Sequence, residues 1–208
     1  MKNKKKLGPK QLTLIKAAEQ CFSRDGYYHT TIREIALAAH TNSCMIGYYF
    51  GSKENLLLNV IDLRVKTFRE IMTRPAQKPK SPLQCLLNLS ETYIKKVFNE
   101  VVFYRLVIQL QTIGSEENVL SRIYKYKAQN YEYINEIVRE GVALGAFHES
   151  ADVEILISVI TSTANYYVLN LQYLKLSASF GGEDKKFLSR IFPDAVSRMH
   201  KLLKAAVK

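Results

Sequence analysis

Apolar side chains recur along most of this chain with a spacing close to that of the α-helix, and the runs they form end at glycine, proline or small capping residues. From about Pro9 to Arg24, Leu14, Ala18, Cys21 and Phe22 fall on one stripe, with Pro9 suited to a first helical position and Gly26 to a helix end. Thr31-Ile-Arg-Glu34 has the form of a capping box, in which the Thr oxygen and the Glu carboxylate satisfy opposite backbone donors. Ile32, Ile35, Ala36 and Ala39 then lie at i, i+3, i+4 and i+7, one face of a second helix. Asn42 offers a cap for a short third helix, Ser43 to Tyr49, whose inward face is Ile46, Tyr49 and Phe50. Gly51 breaks the chain, Ser52 caps again, and a fourth helix from Lys53 to about Thr73 carries Leu57, Val60, Ile61, Phe68 and Ile71.

Pro75, Pro79 and Pro82 crowd the stretch 74–82, which cannot continue a helix and reads as a linker. The pattern thus predicts an N-terminal domain over 1–73 and a C-terminal domain over 74–208. The second domain is helical too, with predicted helices from Ser81-Pro82 to Asn99, Val101 to Ile113, Glu117 to Leu144, and Asp152 to about Leu176. A short piece over 184–192 and a last helix from Pro193 to Ala206 complete an all-α chain of about nine helices. From Ile155 to Leu174 no residue is charged, a run long enough to span a bilayer. Ser158, Thr161, Ser162, Thr163, Asn165, Asn170 and Gln172 make it too polar for lipid, and a helix covered by protein is the expectation. No apolar segment follows the basic start, so neither a signal peptide nor a membrane span is predicted.

Composition narrows the partner. The 208 residues are 47% apolar, which excludes a disordered polyelectrolyte, and the formal charge of +11 favours polyanions. That charge is uneven: residues 1–53 hold nine basic and three acidic side chains, a net +6, whereas the other 155 residues carry only +5. Cys21, Cys44 and Cys85 form no C-x-x-C pair and no Cys/His cluster, which points to free thiols in a cytoplasmic protein without a metal or cofactor. G-x-S-x-G, H-E-x-x-H and P-loop motifs are absent, and His29, His40, His148 and His200 are scattered, so an enzyme is not the expected class.

The helix–turn–helix spacing of the second and third helices is weak evidence alone, since any small bundle has such corners. Its residues add more. The segment Thr30 to Leu57 resembles the DNA-binding domain of the TetR family of bacterial transcriptional regulators, whose pattern is roughly T-T-h-R-x-I-A-x-x-A-G-V-S-x-x-x-h-Y-x-Y-F-x-S-K-E-x-L, with h apolar. Thr30, Thr31, Ile32, Arg33, Ile35, Ala36, Ala39, Ile46, Tyr49, Phe50, Ser52, Lys53, Glu54 and Leu56 match it, and Ala18, Phe22, Gly26 and Tyr27 match the preceding helix and turn. There are departures as well: His40 replaces the turn glycine, Thr41 the following valine, and Gly47 a tyrosine in mid-recognition-helix. The motif proper spans about 31–50, within a three-helix reading head.

For Thr31 two roles stand side by side, a helix cap and a phosphate contact at the helix N-terminus. Arg33 points away from the apolar stripe, toward a phosphate, a guanine edge or plain solvent. Asn42, Ser43, Cys44, Met45 and Tyr48 belong to the face that would enter the major groove, where small and apolar side chains pack on thymine methyls and the Tyr48 hydroxyl would bond a phosphate. Tyr49 is divided between core and phosphate contact. The resemblance implies a phosphate-contacting role for Lys53, whereas Glu54 reads as an acidic residue stabilising a helix N-terminus. Lys4-Lys5-Lys6 reads as an arm along the backbone or minor groove, or as a solvated tail.

The resemblance further implies a homodimer through the last two long helices, with Ile155–Leu174 in the interface, and a small-molecule effector bound among the central helices. Tyr93, Phe103, Tyr104, Gln109, Tyr124, Tyr131 and Tyr166 are the candidate lining, against the plainer reading that they are core. The expected function is a ligand-responsive repressor binding a pseudo-palindromic operator in duplex DNA. The competing reading is a basic helical adaptor that uses the same corner to bind a protein; its affinity would survive high salt, whereas a DNA complex would not.

Overall fold

The computed structural model describes residues 7–72, 81–114 and 116–208, with side chains at 67–72 outside that description. The Lys4-Lys5-Lys6 arm, Pro75, Pro79, and the Phe68 and Ile71 side chains therefore lie outside the described residues. Ten helices and no strand are found among the described residues: α1 Pro9–Asp25, α2 Ile32–Ala38, α3 Cys44–Phe50, α4 Lys53–Met72, α5 Pro82–Asn99, α6 Val101–Thr112, α7 Glu117–Ala143, α8 Val153–Leu169, α9 Leu171–Ser177 and α10 Asp184–Ala206. The chain divides into two compact units, Met1–Phe68 with Val102–Tyr124, and Arg69–Val101 with Lys125–Lys208.

In the first unit, α1 begins at Pro9 with Gln11 Oε1 accepting the Gly8 N–H at 2.9 Å, and ends where Gly26 takes φ +83° and its N–H reaches the Phe22 carbonyl. Leu14, Ile15, Ala18, Cys21 and Phe22 are buried against Ile35 and Ala36 of α2, Ile46 and Phe50 of α3, and Leu56, Leu57, Val60 and Ile61 of α4 in one core. Ile32 departs from its expected inward stripe: it is 37% exposed, because the first residue of α2 lies at the rim. Two ion pairs fasten the helices. Arg64 of α4 grips the buried Glu19 of α1 with two N–H···O bonds of 2.7 and 2.9 Å, and Arg122 of α7 holds Asp62 of α4 at 2.6 Å. Asn118 adds a bond of 2.9 Å to Glu54 at the start of α4.

In the second unit, α5, α8 and α10 pack together, with Phe98 edge-on to Tyr167 and to Phe192 at ring separations of 5.4 and 6.0 Å. Ser81 caps α5 through the Gln84 N–H, and Asp152 caps α8 through the Glu154 N–H. Gly141 in α7 lies so close to the buried Phe147 that an added Cβ would come within 2.2 Å of the ring.

Two predicted boundaries are corrected. The uncharged helix is not continuous to Leu176: it stops at Leu169, where Asn170 leaves helical geometry and its amide donates to the Tyr166 carbonyl at 2.9 Å, and α9 begins one residue later. Conversely, Pro193 does not open a new helix but sits inside α10. It is exposed, as is Ser189, whose carbonyl loses its helical donor. Buried Phe187 and Leu188 before it, and Ala195, Val196 and Met199 after it, hold both halves to one core. Among the described residues no helix is long and apolar enough to cross a membrane.

Candidate nucleic-acid interface

The corner between α2 and α3 is built by local chemistry. Thr31 and Glu34 form the anticipated capping box: Glu34 N–H donates to Thr31 Oγ1 at 3.2 Å, while the Thr31 N–H and hydroxyl donate to Glu34 Oε2 at 2.7 and 2.8 Å. These donors hold the Glu34 carboxyl below the usual carboxylate range. Thr31 therefore acts as a cap here, with both of its donors committed to the Glu34 carboxylate. His40 adopts φ +51°, the left-handed conformation that a turn glycine would take at no steric cost. Asn42 Oδ1 accepts the Cys44 N–H at 2.9 Å, so Asn42 caps α3, while Ser43 has helical backbone angles and makes no side-chain cap.

On α3, Ile46 and Phe50 are buried, and Cys44, Gly47 and Tyr48 face outward at i, i+3 and i+4. Tyr48 is 78% exposed, with its ring edge-on to that of the half-buried Tyr49 at 5.0 Å. Met45 is half-buried, whereas Asn42 and Ser43 are exposed. Arg33 is exposed on α2, and Leu37 one turn further on is 76% exposed, an apolar contribution to this surface that periodicity alone had not singled out. Gly47 is helical and an added Cβ there would meet nothing within 4 Å, so nothing in the chain's own packing requires glycine. In a seven-residue helix it costs about 1 kcal/mol relative to alanine.

Lys53, at the start of α4, occupies a site that the motif did not reveal. Its Nζ donates to the carbonyls of Tyr27 and Thr30 at 3.0 and 3.1 Å and sits 4.5 Å from the centre of the Tyr27 ring. Two of its three N–H groups thus brace the loop leading into α2. Thr30 is buried in the same loop, its hydroxyl donating to the Gly26 carbonyl at 2.8 Å. The two carbonyls that Lys53 reaches lie more than twenty positions away and leave no periodic signal in sequence.

Of the three cysteines, Cys44 is exposed on the outward face of α3, whereas burial pushes the Cys21 and Cys85 thiols up and away from thiolate reactivity. No group of His, Cys, Asp and Glu suited to a metal ion occurs among the described residues.

The seven candidate ligand residues are dispersed. Phe103, Tyr104, Gln109 and Tyr124 belong to the first unit; Tyr93, Tyr131 and Tyr166 belong to the second. Phe103 is buried and edge-on to Tyr104 at 5.5 Å, and Gln109 Oε1 is buried with no hydrogen-bond partner among the described residues. Tyr124 and Tyr166 are about half exposed. Burial pushes the Tyr93 phenol up to about 12. A groove of about 530 Å³ in the second unit is lined instead by Glu91, Pro193, Val196, Ser197, His200, Lys201 and Lys204, with His200 Nε2 donating to the Leu87 carbonyl at 3.1 Å.

A short capped helix, a tight turn and a second short helix with an exposed, sparsely charged face define a helix-turn-helix protein of the all-α class. The model of the family described as "Bacterial regulatory proteins, tetR family" matches residues 14–60. Over 181 residues the chain is 25% identical to the HTH-type transcriptional repressor NicS of Pseudomonas putida, covering 83% of this chain and 82% of that protein. The fatty acid degradation regulator FadR from Bacillus halodurans superposes with a TM-score of 0.74 at 22% identity, over 96% of this chain and 97% of its own. FadR from Bacillus subtilis, solved in complex with stearoyl-CoA, has a TM-score of 0.69 at 19% identity, over 90% and 96%. Residues 14–60 thus carry the tetR-family regulatory domain, and over most of its length the chain is similar to transcriptional regulators.

Proposed function

We propose that this chain is a cytoplasmic repressor that binds a pseudo-palindromic operator as a homodimer and is released by a small molecule. The observation that carries the reading is the α2–α3 corner, whose outward residues Cys44, Gly47 and Tyr48 form a face fit for a major groove. Arg33 and the start of α2 at Thr31 flank that face on the phosphate side, with Asn42, Ser43 and Met45 at its edges. Tyr49 and Lys53 support it from within, Tyr49 by holding the Tyr48 ring and Lys53 by bracing the loop before Thr31. Residues 1–73 are the reading head in this assignment, and 74–208 serve ligand binding and dimerisation.

Self-association is supported by an apolar stripe on α8 and α9, where Ile155, Tyr166, Leu169, Tyr173 and Leu176 are about half to four-fifths exposed. Such a patch is unusual on a monomer, and a second copy through α8 and α10 would cover it. Two heads in a C2 dimer would then read half-sites about 34 Å apart. The effector must bind one conformation of the dimer better than the other, since only differential affinity shifts the population. Because the similar FadR of Bacillus subtilis was solved with stearoyl-CoA, an acyl-CoA thioester is the first effector to test. The candidate positions to mutate are Phe103, Tyr104, Gln109 and Tyr124 in the first unit and Tyr93, Tyr131 and Tyr166 in the second, each set by itself.

The test is a mobility shift with duplexes from upstream of the chain's own and neighbouring genes. Wild type should retain one pseudo-palindrome, with affinity falling steeply and linearly in log–log form as salt rises. The Arg33→Ala, Lys53→Ala double variant should bind it weakly while keeping its helicity. Unaltered binding by that variant would overturn the site assignment, and salt-insensitive binding to a protein partner in place of DNA would overturn the function.

A further inference from the structure

Gly47 lies in the interior of α3 with ordinary helical backbone angles, exposed, and one turn after Cys44 on the outward face. Gly26 and Gly51 in this head answer a backbone need, with φ of +83° and +78° at helix ends. Gly47 has no such need, and an added Cβ would enter open space. A helix-weakening residue with no return inside the chain is accounted for by something that approaches from outside, because glycine lets a partner come close to the backbone. The surroundings say what kind of group fits. Cys44 is a small, weakly polar side chain, and Gly47 offers only Cα and its hydrogens. Tyr48, whose phenol is the long polar group on this face, has its ring held by the edge-on contact with Tyr49. The gap between them carries no strong side-chain donor or acceptor. In a major groove the matching feature is the thymine C5-methyl, the one apolar group that a base pair presents there.

We propose that Gly47 is a specificity-determining position of the reading helix, forming with Cys44 and Tyr48 a notch that receives a thymine methyl in each operator half-site. The inference rests on the reading of α3 as the DNA-reading helix. An alanine at 47 places a methyl where the thymine methyl sits, so it strengthens the helix and weakens the complex at once. Those opposite signs separate the proposal from a purely structural effect.

The experiment uses the full chain and a duplex enriched by wild type from a pool with a randomised core of thirty base pairs. Binding is then measured for wild type and Gly47→Ala, on that duplex and on copies in which each symmetric pair of thymines is replaced by uracil, which removes only the methyl. Wild type should lose about fourfold in affinity per half-site methyl at one symmetric position, the worth of one buried methyl-sized group. Gly47→Ala should melt at a higher temperature than wild type, bind the thymine duplex several-fold more weakly, and regain part of that loss on the duplex with uracil at that position. Equal binding of the thymine duplex by both proteins, or indifference of wild type to uracil at every position, would overturn the notch while leaving DNA reading intact. Failure of wild type to enrich any duplex would instead overturn the DNA-reading assignment itself, and the notch with it.

Discussion

Lys53→Ala tests whether the first unit presents its reading helices in the way the structure indicates. The wild-type ammonium makes two charge-assisted hydrogen bonds, to the Tyr27 and Thr30 carbonyls, and one cation–π contact with Tyr27. A hydrogen bond to a charged group contributes ~1.5–3 kcal/mol, but Lys53 is half-exposed and solvent replaces part of each bond. The cation–π contact adds ~0.5–1 kcal/mol. A loss of about 2 kcal/mol follows, which lowers the melting temperature of a domain this size by about 4–8 °C. The assay is thermal unfolding followed by circular dichroism, paired with the salt dependence of operator binding. Arg33→Ala is the control: an exposed side chain whose removal changes stability by no more than about 0.5 kcal/mol. If Arg33 contacts a phosphate, its loss reduces the log–log salt slope by about 0.9 for each subunit. Lys53→Ala should lower the melting temperature and weaken binding while leaving that slope unchanged, because its charge braces a loop. An unchanged melting temperature would refute the bracing role, and a reduced slope would return Lys53 to the phosphate contact expected from the motif.

Two further outcomes are expected from the second unit. Gly141→Ala forces a methyl to within 2.2 Å of the buried Phe147 ring, so the ring or α7 must shift; the cost is about 1–3 kcal/mol, read as a lower thermal midpoint, and Phe147→Leu in the same background should recover part of it. Tyr93 links stability to alkaline pH: its phenol is pushed from 10.0 to about 12 in the folded chain, so the folded state keeps a proton that the unfolded state releases. Its contribution is fully present below pH 10 and is lost as pH rises toward 12. Tyr93→Phe should flatten the fall in melting temperature across that interval, and an unchanged slope would refute it.

Much of the reading head was legible because its signals are local. The Thr31–Glu34 box, the Gly26 and Gly51 helix ends, and the spacing of Ile35, Ala36 and Ala39 act between residues at most a few positions apart, where sequence neighbours are also spatial neighbours. His40 holds the left-handed turn on equally local grounds, since His tolerates that conformation better than a β-branched residue does. The face of α3 was legible for a related reason: once Ile46 and Phe50 point inward, helical register leaves Cys44 and Tyr48 outside.

Tertiary structure decided what depends on distant partners. Pro193, a helix breaker by propensity, stays within α10 because buried residues on both sides bind the two halves to one core, and packing over several turns outweighs one missing hydrogen bond. Asn170 leaves helical geometry and ends α8, although the uncharged run continues past it. Lys53 turns to two carbonyls more than twenty positions upstream, and Arg122 reaches sixty positions back to Asp62. Local propensity sets which segments become helices and where most of them end. Which charges meet, which glycine is crowded and which lies open are set when those helices pack, because contacts between distant positions exist only in the folded chain.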